Sequence, residues 1–275
     1  MKDDNYHESV MVREVIENLH IKKACKYIDA TVGTGGHTLE IIKAGGKVLG
    51  IEADPEMLAI AGKRLGTKAK LILGNFINID EIAEREGFEK VSGILFDLGV
   101  TNMHLTDDAR GFSFSNPDNP LDMRINPATQ GVKALDLVNV LRQDQLEELF
   151  GVTMEKGSAR WLAKRVLERR PMSKVGDFLQ VCAGLRGKPG ISPATLPFLA
   201  LRIAVNSELD NLREALPKAF SLLTKGGRMI VISFHSGEDR IVKKFGGGKI
   251  ILPSAEEIEL NPRARSAKMR VIERL

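Results

Sequence analysis

A glycine-rich turn between a strand and a helix is the feature that most restricts how this chain can fold. The segment Asp29–His37 reads Asp-Ala-Thr-Val-Gly-Thr-Gly-Gly-His; it follows a short apolar run ending at Ile28 and precedes a helical pattern starting at Thr38. Glycines let a ligand approach the backbone closely, and the first N–H groups of a helix bind polar or anionic groups. The turn therefore predicts a ligand site at the end of a strand.

A second apolar run, Val48–Glu52, ends in an acidic residue. An acid at the end of the second strand of a nucleotide-binding sheet accepts hydrogen bonds from ribose hydroxyls. The turn and the acid together predict a site for a nucleoside cofactor. Dinucleotide-dependent enzymes and methyltransferases share both features, so this pair does not choose between them.

Strands and helices alternate along the first hundred residues, which predicts a parallel sheet with right-handed crossovers. After a helical stretch, three more strand patterns bring the total to seven. We expect an α/β fold with a Rossmann-like, doubly wound, seven-stranded sheet that an antiparallel hairpin closes. The predicted strands start at Ile28 and lie at Val48–Glu52, Lys70–Leu73, Val91–Asp97, within Leu222–Ser233, at Lys249–Leu252 and at Ala267–Glu273, and the predicted helices of the first half are Met57–Leu65 and Ile79–Glu86.

The alternation stops after Asp97, where turn residues and then short amphipathic helices follow. We expect residues 102–195 to form an inserted helical domain, and residues 1–101 with 196–275 to form the cofactor-binding domain. One inserted helix is expected to have Ser158 as its N-cap. A long helix from about Ala194 is expected to be kinked or restarted at Pro217.

Two regions carry a surplus of basic residues. Residues 131–190 contain 11 Lys or Arg against 7 Asp or Glu, and residues 225–275 contain 11 against 6, in a chain of net charge +4. Such a surplus favours a polyanionic partner, because lysine and arginine displace counterions from phosphates. A solvated surface explains the charges equally well, so charge alone leaves both interpretations open.

Cysteine content and hydropathy predict an intracellular location. Cys25 and Cys182 lie far apart without metal-ligand spacing, so we expect two free thiols in a reducing compartment and no metal site. No apolar run approaches the roughly 20 residues that span a bilayer, and no secretory signal is evident at the N-terminus. We therefore expect a cytoplasmic protein that does not associate with a membrane.

Eight segments, in the same order along the chain, give it a specific resemblance. It resembles the class I S-adenosyl-L-methionine (SAM)-dependent methyltransferases, and within them the bacterial 16S ribosomal RNA cytosine-N4 methyltransferases, the RsmH or MraW family. The resemblance implies transfer of a methyl group from SAM to the exocyclic amine of a cytidine in 16S rRNA, presented by the small ribosomal subunit. With an RNA substrate, the inserted domain 102–195 is expected to recognise the RNA. The matching segments are His7–Met11, Thr31–His37, Phe96–Val100, Arg110–Phe114, Pro120–Arg124, Ala200–Glu208, Ser233–Phe245 and Asn261–Lys268.

The resemblance also implies a set of cofactor-binding residues. Gly35, Gly36 and His37 of the turn would contact the methionine end of SAM. Glu52 would accept hydrogen bonds from the ribose hydroxyls, at a position where the family often has Asp. Phe76 is expected near the adenine, with core packing as its alternative role. His104 occupies a position where relatives commonly have Gln. The complete expected set is Gly33, Gly35, Gly36, His37, Glu52, Phe76, Asp97 and His104.

Three residues are candidates for catalysis. A cytosine amine is a weak nucleophile because its lone pair is delocalised, so a group accepting one amine hydrogen would help. Asp97 is the first candidate, with cofactor anchoring as its competing role. Asp122 is the second, with bracing of its loop as the favoured alternative, and His235 would bond the base or order its loop.

Two other functions remain to be separated from methyl transfer. A NAD-dependent oxidoreductase shares the glycine turn and the acid, but that class does not account for the matching segments that follow them in the sequence. A non-catalytic RNA-binding or ribosome assembly protein would keep the pocket without the reaction. The sequence leaves the oligomeric state open, a homodimer being one option.

Overall fold

The chain divides into two units with different architectures. The structure, a computed structural model, describes residues 9–106, 110–186 and 190–275. One unit, the sheet unit, comprises the chain up to residue 99 together with 209–275, and the other, the helical unit, comprises 100–208. The sequence placed the second boundary after residue 195. It lies after Glu208 instead, because Phe198 and Leu201 are buried in the core of the helical unit.

Seven strands form one sheet in the described part of the chain, in the order β3-β2-β1-β4-β5-β7-β6. Strands β1 to β5 pair in parallel, and β7 pairs antiparallel with both β5 and β6. The predicted Rossmann-like, doubly wound sheet with an antiparallel hairpin is confirmed. The strands are β1 Lys26–Asp29, β2 Lys47–Glu52, β3 Lys70–Leu73, β4 Val91–Asp97, β5 Leu223–Ser233, β6 Lys249–Ile251 and β7 Lys268–Glu273.

The helices connect and cover the strands, and those of the inserted unit confirm its predicted helical character. In the described residues they are α1 Val12–Leu19, α2 Gly36–Lys43, α3 Pro55–Leu65, α4 Ile79–Glu86, α5 Asn102–Thr106, α6 Ala134–Val140, α7 Gln143–Gly151, α8 Lys156–Glu168, α9 Val175–Cys182, α10 Thr195–Asn206, α11 Glu208–Leu222, α12 Ser236–Gly246 and α13 Ala255–Leu260. No helix in these described ranges is long and apolar enough to cross a membrane.

Two helix boundaries differ from the prediction. Helix α8 begins after the extended residue Glu155, so Ser158 lies inside its first turn and is not the N-cap. The long helix is interrupted at Ser207, whose left-handed backbone (φ 49°) ends α10. Pro217 lies inside α11 and does not start a new helix.

Alternating side chains of the strands build a core on each face of the sheet. On β4, Ile94 and Phe96 pack on the face covered by α4 and α11, whereas Leu95 packs on the face covered by α1 and α2. This two-residue period is the one expected of a strand buried on both faces. The core therefore fixes the carboxyl end of β4 from both sides.

Replacing Gly93 by alanine should destabilise the sheet unit. An added Cβ would lie 2.7 Å from Leu19 Cδ2 and 2.9 Å from Tyr27 Cδ1, and overpacking of this kind costs about 1–3 kcal/mol. The matched control is Gly62→Ala in α3, where a Cβ meets nothing within 4 Å and should stabilise the helix by roughly 0.5–1 kcal/mol. Urea denaturation of both variants measures the two effects, and equal midpoints would contradict the packing described for β4.

Candidate functional site

The first feature of the site is a backbone link between the glycine turn and the end of β4. The hydroxyl Oγ1 of Thr31 accepts the backbone N–H of Asp97 at 2.6 Å. The strand order changes direction between β1 and β4, which is where ligands bind in open α/β sheets. Thr31 therefore ties the turn to the strand end at the expected binding position, a role that the sequence did not reveal.

The turn needs its glycines for conformation and for space. Gly33 and Gly35 have positive φ angles of 55° and 83°, which residues with a side chain adopt at a cost. Gly35 also precedes the first residue of α2 as its N-cap. A Cβ on Gly36 would lie 2.0 Å from Ser9 Oγ. Gly33 and Gly35 therefore serve the conformation of the turn, and Gly36 makes room for the side chain of Ser9. Contact of the three glycines with a cofactor stays a prediction.

Asp29, a buried acid at the end of β1, stabilises the glycine turn. Asp29 Oδ2 accepts the hydroxyl of Thr38 at 2.6 Å, and Oδ1 accepts the backbone N–H of Thr31 at 3.2 Å. Burial raises the pKa of Asp29, and these hydrogen bonds oppose that rise. The acid therefore links the end of β1 to the first turn of α2. The sequence did not reveal this contact, because nothing in a nine-residue separation marks a contact across a turn.

Glu52, at the end of β2, is held in place by backbone groups. Its Oε2 accepts the N–H of Gly33 at 2.7 Å and its Oε1 accepts the N–H of Asp54 at 2.9 Å. The Asp54 side chain in turn caps α3 through the N–H of Glu56. These bonds fix the orientation of a half-buried carboxylate beside the glycine turn, which suits binding of a ribose diol.

His37 is a neutral imidazole that faces Asp97. Its Nε2 contacts the carbonyl oxygen of Val10 at 2.9 Å; because a carbonyl only accepts, the ring proton resides on Nε2. Burial lowers the pKa of His37, so Nδ1 presents a lone pair to Asp97 Oδ2, 3.5 Å away. The Nδ1 lone pair and an ionised carboxylate oxygen repel each other. This arrangement therefore favours a proton on Asp97, or a hydrogen-bond donor that lies next to both groups.

The carboxyl of Asp97 has a raised pKa as well. Burial raises its pKa to about 7; Glu238 adds to the rise and Arg263 opposes it. Its atom Oδ1 is buried and has no hydrogen-bond partner within the described residues. Buried polar atoms are nearly always paired in proteins. A group that supplies a hydrogen to this oxygen therefore fits the site, whether it comes from a cofactor or from a substrate.

Asp97→Asn should change how stability depends on pH. Because folding raises the pKa of Asp97 above its ordinary value of 3.8, its contribution to stability is complete below about pH 4 and is lost as pH rises through about 7. Asparagine cannot ionise and avoids this loss, on the order of 2–4 kcal/mol. Urea denaturation at several pH values should show that the free energy of unfolding of the wild type falls, relative to that of the variant, as pH rises. Parallel curves would contradict the raised pKa.

Phe76 has a place in the core as well as at the edge of the site. It starts a single 3-10 turn that Asn75 caps after β3, and it is half-buried. Its ring packs edge-on against Phe96, with centroids 5.6 Å apart. The structure thus supports core packing, and contact with an adenine ring stays a prediction for its exposed part.

His235 orders the turn between β5 and α12. Its Nδ1 accepts the N–H of Gly237 at 3.2 Å, while Glu238 Oε2 accepts the N–H groups of Phe234 and His235. The buried Nε2 lies 3.3 Å from Glu238 Oε1, without hydrogen-bond geometry to any described residue. This is the loop-ordering role considered for His235. Glu238 was missed, although an acid three residues after an N-cap is the sequence signature of a capping box.

The two remaining predicted residues belong to the helical unit. Asp122 binds the Arg124 guanidinium through both oxygens at 2.7 Å. Burial pushes the pKa of Asp122 upward, but the bonds from Arg124 outweigh it and leave the pKa below its ordinary value. That geometry favours bracing of the loop over proton transfer. His104 is buried, and its Nδ1 contacts Thr101 Oγ1 at 2.9 Å; its cofactor contact stays a prediction.

Comparison with known proteins assigns the chain to a family. Residues 4–246 match the MraW methylase family. The chain is 40% identical to ribosomal RNA small subunit methyltransferase H of Dehalococcoides mccartyi, over 98% of this chain and 86% of that protein. It is 39% identical to the protein of the same name from Thermosipho africanus, over 99% of both. Among solved structures it is similar to an rRNA methylase from Streptococcus thermophilus, with a TM-score of 0.46 and 13% identity over 96% of this chain and 93% of that one. The family match covers most of the sequence, and the chain therefore belongs to the MraW methylase family.

Proposed function

We propose that this protein transfers a methyl group from SAM to the exocyclic amine of a cytidine in small-subunit (16S) ribosomal RNA. The observation that carries the proposal is the buried Oδ1 of Asp97 at the carboxyl end of β4, which has no hydrogen-bond partner among the described residues. Membership of the MraW methylase family supports the reaction, and similarity to ribosomal RNA small subunit methyltransferases H supports the RNA substrate. The proposal implies a cytoplasmic protein that meets its RNA within the small ribosomal subunit.

The residues of the sheet unit fit SAM. The Glu52 carboxylate, fixed by two backbone N–H groups, would accept the ribose hydroxyls. Gly33 and Gly35, whose positive φ angles favour glycine, would present backbone without a side chain to the methionine end, and His37 would lie beside it. Phe76 would contact the adenine. When bound, SAM supplies an electrophilic methyl group on a sulfonium.

Asp97 would act on the cytosine amine. Its Oδ1 would accept one amine hydrogen, which localises the nitrogen lone pair, and the same carboxylate would take up the proton that the methylated amine loses. A pKa of about 7 suits this role, because a base is most effective when its pKa lies near the working pH. Positioning of the amine supplies the rest of the acceleration.

The helical unit would hold the RNA. Residues 131–190, which all lie within this unit, carry a surplus of four positive charges, from 11 Lys or Arg against 7 Asp or Glu. Phosphate contacts of this kind position a nucleic acid without reading its sequence. The target cytidine must leave any stacked context before its amine can reach a buried carboxylate.

Transfer of labelled methyl groups tests the proposal. Small ribosomal subunits that lack the modification should accept label from SAM in the presence of this protein, and nucleotide mass mapping should place it on N4 of one cytidine. Label on a ring carbon, on another base or on protein would contradict it. Calorimetry addresses the oxidoreductase alternative, since tight binding of NAD(H) without binding of SAM would reverse the assignment.

A further inference from the structure

We propose that Trp161, with the three cations beside it on α8, is a stacking platform for an unpaired base of the RNA substrate. This inference rests on the proposed function, because it assumes that the substrate is RNA. It adds a defined contact for one base to the surplus of positive charge in residues 131–190, which would contact only phosphates. We call Arg160, Trp161, Lys164 and Arg165 the α8 stripe.

The α8 stripe lies on the side of the helix opposite its buried face. Ala159, Leu162, Ala163 and Val166 are fully buried in the core of the helical unit. The cations of the stripe are exposed, with 65% of Arg160, 70% of Lys164 and 56% of Arg165 open to solvent. At 3.6 residues per turn, the four members of the stripe form one continuous strip along the helix.

Trp161 is held in place although it is partly exposed. A Cβ on Gly184, which follows α9, would lie 2.5 Å from the indole Cη2, so the absence of a side chain at Gly184 makes room for the ring. The guanidinium of Arg165, which is also on α8, lies over the indole ring, 5.6 Å from its centroid. About a third of the residue, 36%, remains exposed. A ring fixed in advance loses little conformational freedom when a base stacks on it.

The charges around the ring favour a polyanion as the occupant. Trp161 shares the stripe with three cations, and each of them has an acidic partner: Glu168 pairs with Arg165 at 2.9 Å and with Lys164 at 3.9 Å. Arg160 pairs with Glu147 at 3.4 Å. Ion pairs made by cations this exposed contribute little to stability, so phosphates can replace the carboxylates with little loss.

A lone exposed aromatic residue would carry no such inference, because single apolar side chains on a surface are ordinary. Here the indole and the cations occur together, as in proteins that bind single-stranded nucleic acid. There, aromatic rings stack on bases while arginine and lysine follow the backbone. A duplex, whose bases are already stacked, would not use the ring.

Fluorescence offers a direct test, because Trp161 is the only tryptophan of the sequence. Titration of the full chain with a single-stranded oligocytidylate should quench its emission, and a duplex of equal length should quench it less. In Arg165→Gln the slope of log affinity against log salt should fall by about 0.7, the value for one phosphate contact on a single strand.

Kinetics provide the second readout. Trp161→Ala should raise the KM for the small-subunit RNA on the order of tenfold with kcat unchanged, and Trp161→Phe, which keeps a stacking ring, should stay close to wild type. The control is Lys47→Gln, an exposed lysine at the amino end of β2, where no change is expected.

The outcomes separate this inference from the proposed function. Normal methyl transfer by Trp161→Ala with an unchanged KM, or RNA binding without quenching, overturns the platform and leaves the function standing. Quenching by isolated ribosomal proteins but not by RNA also overturns it. Quenching by single-stranded RNA in a protein that methylates no RNA supports the platform and removes the proposed function.

Discussion

Asp97→Ala should reduce methyl transfer about 10²- to 10⁴-fold, the range attributed to a positioned acid or base, while the protein remains folded. The substitution removes the carboxyl oxygen that has no partner in the described residues and that we assign to the amine hydrogen. Single-turnover transfer to small ribosomal subunits measures the loss, and circular dichroism and urea denaturation check the fold.

Calorimetry with SAM decides between the two roles of Asp97. If the carboxyl acts on the amine, the dissociation constant of SAM should change little in Asp97→Ala while transfer collapses. If it anchors the cofactor, affinity and transfer should fall together, and saturating SAM should restore the rate. Full transfer by Asp97→Ala at ordinary SAM concentrations would exclude both roles.

Glu52→Ala should weaken binding of SAM about 100-fold. Hydrogen bonds to a charged group contribute about 1.5–3 kcal/mol each, and the substitution removes the acceptor proposed for the ribose hydroxyls. It also leaves the N–H groups of Gly33 and Asp54 without the carboxylate that orients them. Calorimetric titration with SAM measures the dissociation constant.

Two conservative variants sharpen the interpretation of Glu52. Glu52→Asp introduces the residue that the family often has and should keep most of the affinity, because it retains the charge. Glu52→Gln keeps one acceptor oxygen, so its affinity for SAM should lie between those of wild type and Glu52→Ala. Equal affinity for SAM in all four proteins would place the ribose elsewhere.

The sheet could be predicted because its signals are local. The strand predicted at Val91–Asp97 has the bounds observed for β4, and the one at Lys70–Leu73 has those of β3. Both are apolar runs bounded by polar residues, and such runs mark strands without reference to the rest of the chain. The helix expected at Ile79–Glu86 also has the observed bounds, since Gly87 follows it with a positive φ.

What the sequence did not show depends on contacts or on single backbone angles. The break at Ser207 comes from one left-handed residue, and serine carries no signal for that conformation. The contacts of Thr31 with Asp97 and of Asp29 with Thr38 join residues brought together by strand pairing and by a turn. Burial of Asp97, which sets its pKa, likewise follows from packing on both sides of β4.

The pairing of β4 with β5 has a consequence for synthesis of the protein. Residues 100–208 lie between these two neighbouring strands in the sequence, and β7, which pairs with β5, comes later still. Closing so long a loop is slow compared with forming local contacts. During translation, β4 leaves the exit tunnel with β1 already made, whereas its second neighbour, β5, follows only after the whole helical unit. The strand end that carries Asp97 is therefore flanked by β-strands on both sides only once the helical unit has been synthesised.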